Sequence, residues 1–367
     1  MRKLLLPLVL LLTPIAISQQ TNQSVDINGV TRDYIQYLPN GFDAGTESLP
    51  VVFCLHGLGD NAQNMSGIGL NIMSDTARFI PIYPQGITNN YGQTAWNNGT
   101  LLSSNVDDLS FFNAMMNLMI NDYNVDPTRI YVCGFSMGAI MSYHLACNMN
   151  DRIAAIGVMS GAMSTNDYNS CSPNYLTPVI HIHGTNDATV PYDSGALPTL
   201  QLATQSFQFW RNQHSCAPAV DSTRFADTAS DGLTFDDFVV QGCAPNASVE
   251  LIRVNGGTHT YFYEPVNDIT EIHEIWRFFR LWSNSNPAPA GINEISLGSI
   301  SFYPNPVNDQ LIINTESDSR IEIYDGMGRK LEEVRIYKGE NTIQLNHLKS
   351  GVYYIRHGQE TKKLIKQ

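Results

Sequence analysis

Six short and almost wholly apolar runs, at residues 49–55, 79–83, 130–133, 154–159, 179–182 and 249–254, constrain this chain more than any other feature. Such runs lack the polar alternation of a half-solvated strand, so they read as strands covered on both faces, the kind from which parallel sheets are built. Helix-like stretches fall among them at 109–123, 139–149, 200–212 and 269–282. Strands interleaved with helices predict an α/β fold with a doubly wound, mostly parallel sheet. Ahead of the first run, residues 25–30 alternate around Asn28-Gly29 and 34–38 continue the alternation, which predicts an opening β-hairpin.

A chain of 367 residues is long for one domain. Arg2 and Lys3 precede an apolar run at 4–12, and Ala16-Ile17-Ser18 has the small-x-small pattern of a cleavage site, so residues 1–18 read as a secretory signal peptide. That run is too short to span a bilayer and Pro14 follows it; no transmembrane segment is expected in the mature protein. Residues 284–291, with Pro287 and Pro289, read as a linker between a main domain at 19–283 and a tail at 292–367. In the tail, short strands are expected at 301–303, 311–313, 321–324, 342–345 and 352–355, separated by turns such as Asp325-Gly326, which suggests a small all-β sandwich.

The net charge of -13 argues against nucleic acid and anionic membrane surfaces as partners, because both select lysine and arginine patches. No lysine occurs between Lys3 and Lys330, so the excess acid belongs to the main domain. Six cysteines in an exported chain permit disulfides. Cys216 and Cys243 flank a loop-like acidic segment that holds Asp221, Asp227, Asp231, Asp236 and Asp237, and a bridge between them is expected. Cys54 and Cys133, inside apolar runs, read as small buried hydrophobes; a Cys147–Cys171 pairing stays open.

Gly134-Phe135-Ser136-Met137-Gly138 joins the third apolar run to a helix-like stretch. A serine on a sharp strand-to-helix turn projects its oxygen out of the sheet, and glycines two residues either side remove Cβ atoms that would clash. Such a nucleophile needs an acid and a histidine on loops past strand ends, where open α/β sheets place their ligands. Asp187, after the run at 179–182, and His259, after the run at 249–254, satisfy order and placement. His144, His181, His214 and His273 fall in expected helices or a strand, and Asp193 is the rival acid. Backbone N–H groups of Leu58, in His56-Gly57-Leu58-Gly59-Asp60, and of Met137 are the candidate oxyanion donors. His56 and Asp60 alone make a poor metal site, and no dinucleotide fingerprint or phosphate loop is present, so neither metal nor cofactor is expected.

Taken together, residues 55–60, 134–138, 183–187 with Val190-Pro191-Tyr192, and Gly256-Gly257-Thr258-His259 resemble the polyhydroxybutyrate depolymerase-like and feruloyl esterase group of secreted carboxylesterases, over about residues 24–283. The resemblance implies an α/β-hydrolase fold and ester hydrolysis through a Ser136–His259–Asp187 triad and an acyl-enzyme. The esters it implies are feruloyl or acetyl esters of polysaccharides, or hydroxyalkanoate polyester oligomers. Trp96, within loops similar to that family's, would then lie near substrate; the alternative is an aromatic packed on the core. Tyr192 and Tyr261 are further candidates, and with Tyr91, Trp96 and Tyr263 they would give an aromatic-lined cleft if they converge. Where the family often continues with Trp-Pro after the histidine, this chain has Tyr261-Phe262-Tyr263, which implies a different pocket.

The tail resembles the type IX secretion sorting domain through Tyr303-Pro304-Asn305-Pro306-Val307, residues 323–329, residues 348–354 and the basic ending 362–366. That implies export through the periplasm to the cell surface or medium, with the secretion machinery as a partner; a carbohydrate-binding module is the alternative. A serine peptidase of the same fold and a catalytically inactive binding protein are the rival functions for the main domain.

Overall fold

The computed structural model describes residues 19–195, 197–284, 301–315, 319–325, 329–357 and 360–367. The expected signal peptide and, apart from Asn284, the expected linker lie outside the described residues. Two compact units are present, one built mainly on residues 32–109 and 119–287 and the other mainly on 288–367.

Ahead of residue 285, β1 (Gln20–Ile27) and β2 (Val30–Tyr37) flank the Asn28-Gly29 turn. There follow β3 (Val51–Leu55), α1 (Ala62–Met65), α2 (Leu70–Ala77), β4 (Ile80–Pro84), β5 (Ile87–Thr88), β6 (Thr94–Ala95) and α3 (Asp108–Tyr123). The second half comprises β7 (Ile130–Phe135), α4 (Met137–Asn148), β8 (Ala155–Met159), α5 (Thr165–Ser170) and β9 (Val179–Gly184), then α6 (Ala203–Gln213), β10 (Val220–Arg224), β11 (Thr234–Val240), β12 (Val249–Asn255) and α7 (Glu271–Phe279).

Ten of these strands form one sheet in the order β1-β2-β4-β3-β7-β8-β9-β12-β11-β10. The six from β4 to β12 in that order run parallel, and β2, β10 and β11 pair antiparallel at the margins. Every residue of β3, β4, β8 and β9 is buried, which is why these segments are continuous apolar runs and do not alternate. Because the strands are parallel, the loops after β3, β7, β9 and β12 all leave the same edge of the sheet, so His56, Ser136, Asp187 and His259 meet there although they are far apart in sequence.

One element corrects the sequence reading. The acidic segment between Cys216 and Cys243 is not a loop but the antiparallel β10–β11 pair at the margin of the sheet. Its aspartates suggested a turn-rich coil, yet Asp236 is held by Arg224 at 2.7 Å, Arg253 at 2.9 Å and Asn255 at 2.8 Å. Those hydrogen bonds keep its carboxyl well below the usual range, so the charge is satisfied inside a strand. Cys216 and Cys243 are joined, as are Cys147 and Cys171; Cys54 and Cys133 are buried and free.

The second unit comprises β13 (Ser301–Tyr303), β14 (Gln310–Thr315), β15 (Ser319–Asp325), β16 (Lys330–Ile336), β17 (Gly339–Gln344), β18 (Gly351–His357) and β19 (Glu360–Lys366). They make two sheets, β13-β14-β17 and β16-β15-β18-β19, around a core that includes Leu311, Ile313, Ile321, Ile323, Ile355 and Leu364. β16 and β19 were not expected from the sequence. Lys330, Glu333, Arg335 and Lys363 point outward and dilute the apolar signal that Ile336 and Leu364 supply.

Candidate active site

Ser136 stands between β7 and α4 with φ 54° and ψ -118°, a conformation that costs an L-residue on the order of 1–3 kcal/mol and is held by its surroundings. The flanking glycines explain how. A Cβ on Gly138 would lie 2.2 Å from the Leu55 carbonyl oxygen, and one on Gly134 would lie 2.4 Å from the Gly138 carbonyl carbon. The strand and helix therefore close on each other only without side chains there. Ser136 N–H donates to the Met159 carbonyl at 2.9 Å, which ties the turn to β8. α4 is buried nearly all round, from Met137 through Tyr143 and again at Leu145 and Ala146, so the helix behind the serine is a fixed post.

His259 links the other two side chains. Its Nε2 lies 2.9 Å from Ser136 Oγ and its Nδ1 lies 2.7 Å from Asp187 Oδ2. A carboxylate opposite Nδ1 fixes the proton on that nitrogen and leaves the Nε2 lone pair facing the serine hydroxyl. Asp187 Oδ1 accepts the N–H groups of Thr189 and Val190, both at 2.8 Å. Burial works to raise the Asp187 carboxyl, but the hydrogen bonds from His259 and Val190 outweigh it and hold the group below the usual range. The loops carrying acid and histidine are laced together: Asn186 N–H donates to the Gly257 carbonyl at 2.8 Å, and Gly256 N–H to Thr185 Oγ1 at 2.9 Å.

The residues that bear the candidate oxyanion donors border the same space. Leu58, Ser136 and Met137 line a cavity of about 260 Å³. The loop bearing Leu58 is held from beneath: His56 Nε2 accepts the Gly86 N–H at 2.9 Å, and the His56 carbonyl accepts Trp96 Nε1–H at 2.8 Å. His56 is buried, which lowers its pKa, and with Nε2 accepting and Nδ1 2.7 Å from the Gly57 carbonyl it is neutral and fully engaged.

The aromatic cleft expected from the sequence does not form. Trp96 is 0% exposed, beneath the Leu58 loop rather than on the cavity wall, so it supports the site and does not touch what enters it. Tyr192 lies tilted beside His183, with ring centres 6.0 Å apart, and Tyr261 pairs with Tyr263 in a separate groove. The wall beside Ser136 is instead aliphatic, made by Leu58, Leu102, Ile140, Val190, Leu197 and Leu200 with Thr100, Thr189 and Thr199. These leucines come from loops with no periodic signal of their own, so only the fold brings them together. The rival histidines stay elsewhere: His144 meets Asp167 at 2.9 Å, His273 is an exposed partner of Glu264, and His181 and His214 are buried. Asp193 is exposed.

Comparison with known proteins is consistent with this geometry. Residues 43–217 match the phospholipase/carboxylesterase family, and residues 301–367 match the secretion system C-terminal sorting domain. A bifunctional acetylxylan esterase/xylanase from Neocallimastix patriciarum is 25% identical over 268 residues, 72% of this chain and 35% of that protein. A feruloyl esterase B from Piromyces equi is 27% identical over 238 residues, 62% of this chain and 42% of its own length. A probable feruloyl esterase C from Aspergillus niger is 29% identical over 238 residues, 63% of this chain and 77% of that protein. The first of these relatives are matched over half of their length or less. Among solved structures, an acetyl xylan esterase from Aspergillus awamori shares the fold, with TM-score 0.53, 18% identity, and coverage of 71% of this chain and 99% of that one.

Proposed function

We propose that the chain, which matches the phospholipase/carboxylesterase family over residues 43–217 and a secretion system C-terminal sorting domain over residues 301–367, is a secreted serine carboxylesterase. The observation that carries this reading is the continuous hydrogen-bonded line from Ser136 Oγ through His259 to the buried Asp187. His259 Nε2 takes the serine proton as Oγ attacks the ester carbonyl, and Asp187 stabilises the imidazolium that forms. The N–H groups of Leu58 and Met137 hold the tetrahedral oxyanion, and each such donor is worth roughly a hundredfold or more in rate. His259 then protonates the leaving alcohol, and water resolves the acyl-enzyme by the same steps in reverse order.

The division that accompanies this reading is a cleaved leader over 1–18, a hydrolase over 19–283, a linker over 284–291 and a sorting domain over 292–367. Feruloyl, acetyl and hydroxyalkanoyl esters are the candidate substrates. The aliphatic wall supports a small acetyl or hydroxybutyryl group over a feruloyl ring, whose phenol would meet only threonine hydroxyls. The test pairs an active-site fluorophosphonate with hydrolysis of p-nitrophenyl acetate, methyl ferulate, acetylated xylan and a hydroxybutyrate oligomer. Labelling confined to Ser136, with ester turnover lost in Ser136→Ala, is expected. An unlabelled Ser136 in folded protein would leave an inactive binding module as the reading, and faster cleavage of peptide amides than of esters would leave a peptidase.

A further inference from the structure

Behind Asp187 lies a line of three polar side chains, each 0% exposed, that the reaction just described does not use: Tyr143 on α4, and His181 and His183 on β9. Tyr143 Oη is 3.1 Å from His181 Nδ1, His181 Nε2 is 2.9 Å from His183 Nδ1, and His183 Nε2 is 2.8 Å from the Val190 carbonyl. The same His183 nitrogen is 3.4 Å from Asp187 Oδ2. Val190 in turn donates its N–H to Asp187 Oδ1.

Valence sets the protons along this line. A carbonyl only accepts, so His183 Nε2 carries a hydrogen. Burial lowers the pKa of both histidines, and a neutral ring has one N–H. His183 Nδ1 therefore accepts from His181 Nε2–H, and His181 Nδ1 accepts from the Tyr143 hydroxyl. All donors point one way, from Tyr143 to the loop that holds the acid. With the opposite tautomers, the His183 Nε2 lone pair would face both the Val190 carbonyl and the Asp187 carboxylate, and three acceptors would crowd one point.

We propose that Tyr143, His181 and His183 form a tautomer-setting relay that positions Asp187, and through it His259, with His183 the terminal positioning residue. The relay bears on catalysis only if the serine esterase reading holds. Two histidines on a strand buried on both faces are costly where Ile or Val would pack, and only a fully satisfied network offsets that cost. The other ionisable groups around it are accounted for. Tyr192 stands 6.0 Å from His183 between ring centres, and Arg253, opposite His183 in the β9–β12 register, is engaged with Asp236. On the far side Tyr143 stacks on Trp210, beyond which lies His214.

The test uses the full chain and four forms: wild type, His183→Leu, His183→Gln and Tyr143→Phe. Glutamine offers an N–H to Val190 and an oxygen to His181; leucine offers neither. Turnover of p-nitrophenyl acetate and the downfield proton resonance of His259 Nδ1–H are measured, with thermal midpoints to confirm folding. In His183→Leu, kcat is expected to fall roughly tenfold to a hundredfold with KM unchanged, the mark of lost positioning. The resonance should shift or broaden, His183→Gln should recover most of both signals, and Tyr143→Phe should lie between. Equal kcat and an unmoved resonance in folded His183→Leu would overturn the relay, as would leucine and glutamine behaving alike. Should His183→Leu fail to fold, an unmoved resonance and full kcat in Tyr143→Phe would overturn it as well. A wild type that hydrolyses no ester defeats the esterase reading instead, and the resonance, which needs no substrate, still decides the relay.

Discussion

At the scale of single residues, geometry separates groups that do chemistry from groups that make room for it. In the proposed triad Asp187 is of the first kind: Asp187→Asn keeps the shape but offers His259 Nδ1 an amide, which favours the wrong tautomer. A fall in kcat of about 10⁴-fold is expected for an ester substrate, with fluorophosphonate labelling slowed in parallel. Labelling at the wild-type rate would mean that the acid lies elsewhere. Gly138 is of the second kind. A methyl group there would sit 2.2 Å from the Leu55 carbonyl oxygen, which is backbone and has nowhere to go. Gly138→Ala should therefore lower stability by about 1–3 kcal/mol and displace the elbow, seen as a reduced thermal midpoint together with a reduced kcat. A variant with wild-type values for both would show that α4 can slide away from β3.

At the scale of elements, the start of α7 holds a fully buried carboxyl. Glu271 is 0% exposed and accepts the Phe262 N–H at 3.1 Å, and burial raises its pKa well above the usual 4.5. The folded chain therefore keeps a proton that the unfolded chain releases above about pH 4.5. Its contribution to stability is complete below that value and is lost as pH rises toward the folded pKa, at up to about 1.4 kcal/mol per pH unit. Glu271→Gln retains an acceptor for Phe262 and removes the titration, so its thermal midpoint should fall less than that of wild type between pH 5 and pH 8. Parallel midpoint curves for the two would contradict this. Elements also explain what could be read beforehand. The strands leading to Ser136, Asp187 and His259 were legible because burial on both faces writes an apolar run, and the loop after each of these runs carries one of the three hydrogen-bonded side chains. β10 and β11 were not, because their aspartates are satisfied by Arg224, Arg253 and Asn255, partners that only the folded sheet supplies. His181 was legible only as a histidine within an expected strand for the same reason: its partner Tyr143 is 38 positions away.

At the scale of the whole molecule, the two units are built on separate cores. One draws on residues from Ile35 to Phe279 and the other on residues from Val307 to Leu364. Ser136, Asp187, His259 and the cavity wall beside them all lie between Leu58 and His259, in the first unit. The tail matches a secretion system C-terminal sorting domain, and among the described residues no helix is long and apolar enough to cross a membrane. Ending the chain after residue 283 should then leave kcat and KM for p-nitrophenyl acetate at their full-length values while export collapses, measured as the share of esterase activity in medium and surface fractions against the periplasm. Calorimetry of the full chain supplies the matching physical test. Separate cores predict two unfolding transitions, of which the truncated chain keeps the larger unchanged. A single transition in the full chain, or a truncated hydrolase that melts lower and turns over more slowly, would show that the tail stabilises the catalytic unit and is more than an address.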